Sequence, residues 1–131
     1  MIRSMSTRIL YIEDDPTQIE LIRILLTKEG FEVITASDGA SGLQAAADTL
    51  PDLVLMDVNL PVMTGIEAAE HMLALPQLAQ VPIIALTSNV KFGAIQPYIG
   101  TLFAAYLQKP IMRRDLLTCI AECLGIPDRQ R

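Results

Sequence analysis

Three carboxylates stand in a row in ILYIEDDPTQ (9–18), directly after four apolar residues. Adjacent anions repel, so Glu13, Asp14 and Asp15 require a reason. Asp57 closes the apolar run PDLVLMD (51–57), Thr87 and Ser88 follow VPIIAL (81–86), and Lys109 follows AAYLQ (104–108). At about 5 Å and an effective dielectric of about 20, each anion pair costs roughly 3 kcal/mol, a large fraction of a domain's net stability. If these residues converge, either a shared proton or a hard cation must neutralise them. Mg2+ prefers few carboxylates, retained waters and a phosphoryl oxygen, which suits this set. Lys109 adds a cation and Thr87 a hydroxyl donor. No cysteine, serine or histidine lies at a strand end beside an evident base, so a hydrolytic triad is unsupported. Asp57 is the carboxylate best placed to attack a phosphoryl group, giving an aspartyl phosphate whose oxygens Mg2+ and Lys109 would hold. Alone, Asp57 reads as a loop cap; its company changes that reading.

Short apolar runs alternate with helical patterns, which predicts a parallel sheet with helices on both faces. RILYI (8–12) is apolar enough to be covered on both sides. Pro16 opens a helix capped by Asp15, with Ile19, Ile22, Leu25 and Leu26 inward and an end near Gly30. FEVITA (31–36) mixes polar and apolar residues, as a strand nearer an edge would. Ser37 or Asp38 caps a helix buried through Leu43, Ala46, Ala47 and Leu50. Thr64 caps a third helix, with Glu67 three later as in a capping box and Ile66, Ala69 and Leu73 inward. Residues 51–57, 81–87 and 104–110 supply three further strands. A last helix buries Leu116, Leu117, Ile120 and Leu124. Handedness favours the flavodoxin-like order 2-1-3-4-5, a doubly wound five-stranded parallel sheet whose ligands bind beyond the carboxyl ends of the strands. The acids, Thr87 and Lys109 all fall there.

With 131 residues, 51% of them hydrophobic and 19% charged, the chain is expected to form one domain over 1–131 with its core at about 8–124. A net charge of −5 disfavours direct nucleic-acid binding. No apolar run reaches the length of a membrane span and the N-terminus lacks a signal-peptide core, so no membrane partner and a cytoplasmic location are expected. Cys119 and Cys123, four apart on a helix, read as packing residues. His71, the only histidine, falls on a polar helix face. Met56 and Met72 read as core fillers, and Met63 as partial cover over the site.

The acidic pair after the first strand, LMDVNLPVMTG, ALTSN and YLQKP resemble, in order and spacing, the receiver domain of two-component response regulators. The resemblance runs over residues 8–124. It implies that Asp57 is the phosphoacceptor, charged by a histidine kinase or histidine phosphotransfer protein. It implies Mg2+ at Asp14 directly, at Glu13 through water, at Asp57 and at the backbone carbonyl of Asn59. Thr87 would be the switch hydroxyl with Ser88 beside it, Tyr106 the switch aromatic, and Lys109 the phosphate-binding lysine, followed by a cis peptide at Pro110. Phosphorylation would re-aim Thr87 and Tyr106 and change the helix 4/strand 5/helix 5 face read by an effector. Such a domain is a signalling module that catalyses only its own phosphorylation and dephosphorylation.

VKFGAIQPYIGTLFAA (90–105) departs from that family, with Lys91 its one charge. Pro97 should kink, shorten or abolish a fourth helix, and Gly100 should end it. Phe92, Ile95, Ile99 and Leu102 form the expected buried stripe. Tyr98 and Phe103 are expected outside, giving an apolar output face suited to a homodimer or to docking. The rival reading is a degenerate receiver that binds partners without phosphorylation. A haloacid-dehalogenase-like phosphatase would want an acid where Asn59 stands, and a flavodoxin-type carrier would not set three anions against a phosphate.

Overall fold

The computed structural model describes residues 6–60, 62–88 and 92–127. Five strands, β1 (Arg8–Ile12), β2 (Glu32–Ala36), β3 (Leu53–Asp57), β4 (Ile83–Thr87) and β5 (Ala105–Gln108), form one parallel sheet. Its order is β2-β1-β3-β4-β5, as expected. β3 and β4 are buried at every position, while the edge strand β2 has exposed and half-buried positions only. α1 (Pro16–Lys28) and α5 (Arg113–Leu124) cover one face of the sheet, and α2 (Gly39–Thr49), α3 (Gly65–Leu73) and α4 (Phe92–Ile95) the other.

Local chemistry places the helices. The Asp15 side chain accepts the Thr17 N–H at 2.9 Å and Pro16 opens α1. Asp38, not Ser37, caps α2 through Ser41 N–H. Thr64 and Glu67 form the reciprocal capping box at α3. Leu50, expected inside, is exposed: it is the left-handed C-cap of α2, because Pro51 disfavours a further helical residue before it. The inward face of α3 centres on Ala68, Ala69 and Met72, with Ile66 and Leu73 half-buried at its margins.

Gly65 shows why α3 begins where it does. A Cβ there would lie 2.6 Å from Val58 Cα and 2.7 Å from the Asp57 carbonyl oxygen, both backbone atoms that cannot swing aside. Gly65→Ala should therefore cost about 2–3 kcal/mol in urea unfolding, the scale of core overpacking; a cost below about 0.5 kcal/mol would mean that the loop after Asp57 yields freely.

The fourth helix is the principal departure. α4 is one turn, and Gln96–Tyr98 continues it as 3-10 helix with Pro97 inside. The chain then reverses at Gly100, φ +92°. The Tyr98 carbonyl accepts the N–H groups of Thr101, Leu102 and Phe103, and Gly100 N–H donates to the Phe103 carbonyl at 2.7 Å. This knot turns Phe103 into the core, fully buried and against the expectation of exposure; Tyr98 is half-buried. Ile95 is buried, and Ile99 and Leu102 pack behind it as expected. The Phe92 side chain and residues 90–91, which include the lone charge Lys91, lie outside the described residues. Phe103 is thus withdrawn from the face on which an apolar output surface was expected.

Candidate functional site

Register sets the site. Ile12 pairs with Met56, which puts Glu13 level with Asp57. Asp57 pairs with Leu86, leaving Thr87 one residue beyond, and Thr87 pairs with Gln108, which puts Lys109 at the same rim. Parallel strands in this register thus deliver all four to one edge, where a cleft of about 350 Å³ is lined by Glu13, Asp14, Asp15, Asp57, Asn59, Ser88 and Lys109.

The geometry is a bridged cluster. Lys109 Nζ lies 3.1 Å from Glu13 Oε1 and 3.3 Å from Asp57 Oδ2. Asn59 N–H donates to Asp57 Oδ1 at 2.9 Å. Glu13 and Asp57 are buried while Asp14 is exposed to the cleft. One carboxylate oxygen from each of Glu13, Asp14 and Asp57 falls within 4.8 Å of the others, close enough to hold a metal ion together. Burial and the neighbouring Asp57 charge push Glu13 above the usual carboxylate range, against the downward pull of Lys109. Burial acts to lower Lys109, but Asp57 and Glu13 outweigh it and its net shift is upward.

Thr87 is buried at the rim with its hydroxyl donating to the Ser88 carbonyl at 3.0 Å. Tyr106, two residues before the end of β5, is 42% exposed on the outer surface. The Lys109–Pro110 peptide is cis. Asp15 serves α1 as its cap. Met63 packs on Gly39 at the start of α2 and does not line the acidic cleft, so its expected covering role is not seen. His71 is exposed, and Met56 and Met72 are fully buried. Cys119 and Cys123 are packing residues of α5 whose thiols meet; contact with Cys123 and burial push the Cys119 thiol up.

Sequence reasoning passed over one participant. Tyr11, taken as part of an apolar strand, points its hydroxyl at Glu13 Oε1, 3.3 Å away. The period of two along a strand places residues 11 and 13 on one face and could have shown it.

A buried carboxylate, an ammonium and paired acids at one rim suit phosphoryl chemistry, and the comparisons agree with the fold. The model of the response regulator receiver domain matches residues 9–121. The DNA-binding response regulator MtrA of Mycolicibacterium smegmatis is 35% identical over 116 residues, 87% of this chain and 49% of that protein. The chain thus spans about half the length of that relative. The polar-differentiation response regulator DivK of Brucella ovis is 30% identical over 121 residues, 92% of this chain and 98% of that protein. The receiver domain of a sensor histidine kinase from Pseudomonas aeruginosa PAO1, solved with a magnesium ion coordinated in its active site cleft, is 32% identical with a TM-score of 0.83, over 92% of this chain and 99% of that one. A five-stranded sheet in this order, a cleft with these residues and a match over most of the sequence lead to one conclusion: the chain belongs to the receiver domain family of two-component response regulators.

Proposed function

We propose that Asp57 accepts a phosphoryl group from a histidine kinase or histidine phosphotransfer protein, and that the change is read by an effector at the α4/β5/α5 face. The observation that carries this is the single ammonium, Lys109, bridging Glu13 and buried Asp57 beside a third carboxylate. A carboxylate oxygen of Asp57 attacks phosphorus, the bond to the donor histidine nitrogen breaks, and that nitrogen leaves with the electron pair. Lys109, already in contact with Asp57, meets the phosphoryl oxygens as charge spreads over them. Asn59 N–H holds the other side of the nucleophile in place.

The donors present fit Mg2+. Asp14 and Asp57 open on the cleft with the Asn59 backbone beside them, while Glu13 is occupied by Lys109 and can serve through water. When bound, the ion neutralises the acids and withdraws charge from the phosphoryl oxygens. Glu13, raised above its ordinary value, stays protonated to a higher pH than a free carboxylate. Above that raised value its ionised form costs the fold stability; as pH falls toward the ordinary range the proton relieves that cost and the demand for a cation falls with it. The rise in melting temperature on adding Mg2+ should therefore shrink as pH drops from 7.5 toward 5; a constant increment would contradict the assignment.

Switching follows from what Thr87 and Tyr106 do now. The Thr87 hydroxyl is engaged by the Ser88 carbonyl and must rotate to reach a phosphoryl oxygen, vacating space toward which exposed Tyr106 can turn. The groove beside Tyr106, about 570 Å³, is flanked by Ile99 and Leu107 and by Arg114, Asp115 and Glu122 of α5. An effector, or a second copy of the chain, would read the switch there. A degenerate receiver is the second reading, supported by the shortened α4 alone. Incubation with Mg2+ and acetyl phosphate separates the two: the phosphoacceptor reading expects an intact-mass gain of one phosphoryl group, and no gain leaves the degenerate module ahead.

A further inference from the structure

Glu13 is held by three donors from three elements. Lys109 Nζ and the Tyr11 hydroxyl share Oε1, at 3.1 and 3.3 Å, and Asp15 N–H reaches Oε2 at 3.3 Å. Tyr11 is almost wholly buried, outside the lining of the cleft, in the packed layer between the sheet and α1 and α5. Phenylalanine would fill that layer as well, so packing explains the ring and leaves the hydroxyl to be explained. A buried phenol needs an acceptor, and the one it has is the acid that anchors the lysine.

We propose that Tyr11 is a positioning residue, whose hydroxyl fixes Glu13 as the anchor of Lys109 and so keeps the ammonium over Asp57. The proposal rests on the reading of Asp57 as phosphoacceptor and adds a division of labour within the acidic pair. Asp14 and Asp57 are left to the cation, while Glu13, which also lines the cleft, is turned to the lysine by a donor behind it. Without the hydroxyl, Glu13 keeps only Lys109 at Oε1 and the Asp15 N–H at Oε2, and its side chain is less firmly placed. Lys109 then loses the fixed partner that aims it. The effect passes through Glu13 and touches neither phosphorus nor metal directly.

Tyr11→Phe, Glu13→Ala and the double variant test this in two ways. With saturating Mg2+ and acetyl phosphate, Tyr11→Phe should slow phosphoryl uptake by about tenfold, the scale of losing an outer-shell partner. In the Glu13→Ala background the same change should do nothing, because there is no carboxylate left to position. In metal-free protein, the Lys109 ammonium, followed by nitrogen-15 NMR and assigned with Lys109→Arg, should shift and exchange its protons with water several times faster in Tyr11→Phe. Equal slowing in both backgrounds, or an unmoved Lys109 resonance, overturns the proposal and leaves the hydroxyl a packing detail. If the wild type takes up no phosphoryl group, the functional reading falls, and the metal-free resonance still decides the role of Tyr11.

Discussion

Replacing Asp57 by asparagine should abolish phosphoryl uptake and at the same time make the metal-free protein more stable. The first effect follows because a carboxamide is no nucleophile toward phosphorus, while Asn keeps the shape and can still accept the Asn59 N–H. The second is a matter of charge. Asp57 lies within 4.8 Å of oxygens from Glu13 and Asp14, and at an effective dielectric of about 20 each repulsion is about 3 kcal/mol. Its attraction to Lys109 at 3.3 Å is about 5 kcal/mol on the same scale. Taken at equal weight the two repulsions, about 6 kcal/mol together, exceed the attraction by about 1 kcal/mol, so Asp57→Asn should gain up to about 1 kcal/mol. It should also lose most of the stabilisation by Mg2+, having lost a ligand. Intact mass and thermal melts with and without Mg2+ check all three. A variant that still gains a phosphoryl group would move the acceptor elsewhere.

Lys109→Met should have the opposite effect on metal-free stability. Methionine keeps the length of the stem but leaves buried Glu13 and Asp57 facing each other with no cation between them. Removing one partner of a buried ion pair costs about 3–5 kcal/mol; Lys109 is partly exposed, so about 3 kcal/mol is expected without metal. Mg2+ should restore much of it, because the ion then meets a more negative cluster. Phosphoryl uptake should nevertheless stay at least about a hundredfold slow, since the ammonium proposed to meet the phosphoryl oxygens is gone. Denaturant melts and acetyl phosphate kinetics measure the two halves separately. Equal stability of Lys109→Met and wild type in metal-free buffer would show that the bridge seen here carries no weight.

Together the two expected results would mean that the cleft is built for a charge it does not itself supply. The same logic explains the opening triplet of acids. Asp15 caps α1, Glu13 is bound by Lys109 and Tyr11, and Asp14 and Asp57 are left as the acids of the cluster with least of their charge answered by side-chain donors other than Lys109.

Much of this was legible in the amino-acid sequence because the determinants are local. Uniformly apolar runs mark strands covered on both faces, Asp15-Pro16 and Thr64-x-x-Glu67 mark helix starts, and a parallel sheet of short strands must present its chemistry at the carboxyl ends. From those rules Glu13, Asp14, Asp57, Thr87 and Lys109 fall at one rim without any coordinate. Tertiary structure alone decided where long side chains turn once they arrive. Tyr11 looked like one more apolar strand residue until the chain brought Glu13 and Lys109, 96 residues apart, to its hydroxyl. Phe103 looked like an exposed loop residue until the reversal at Gly100 turned it inward. Spacing fixes which face of an element a residue occupies, but a buried polar or aromatic group takes its direction from partners distant in the chain, and those exist only after the sheet has closed.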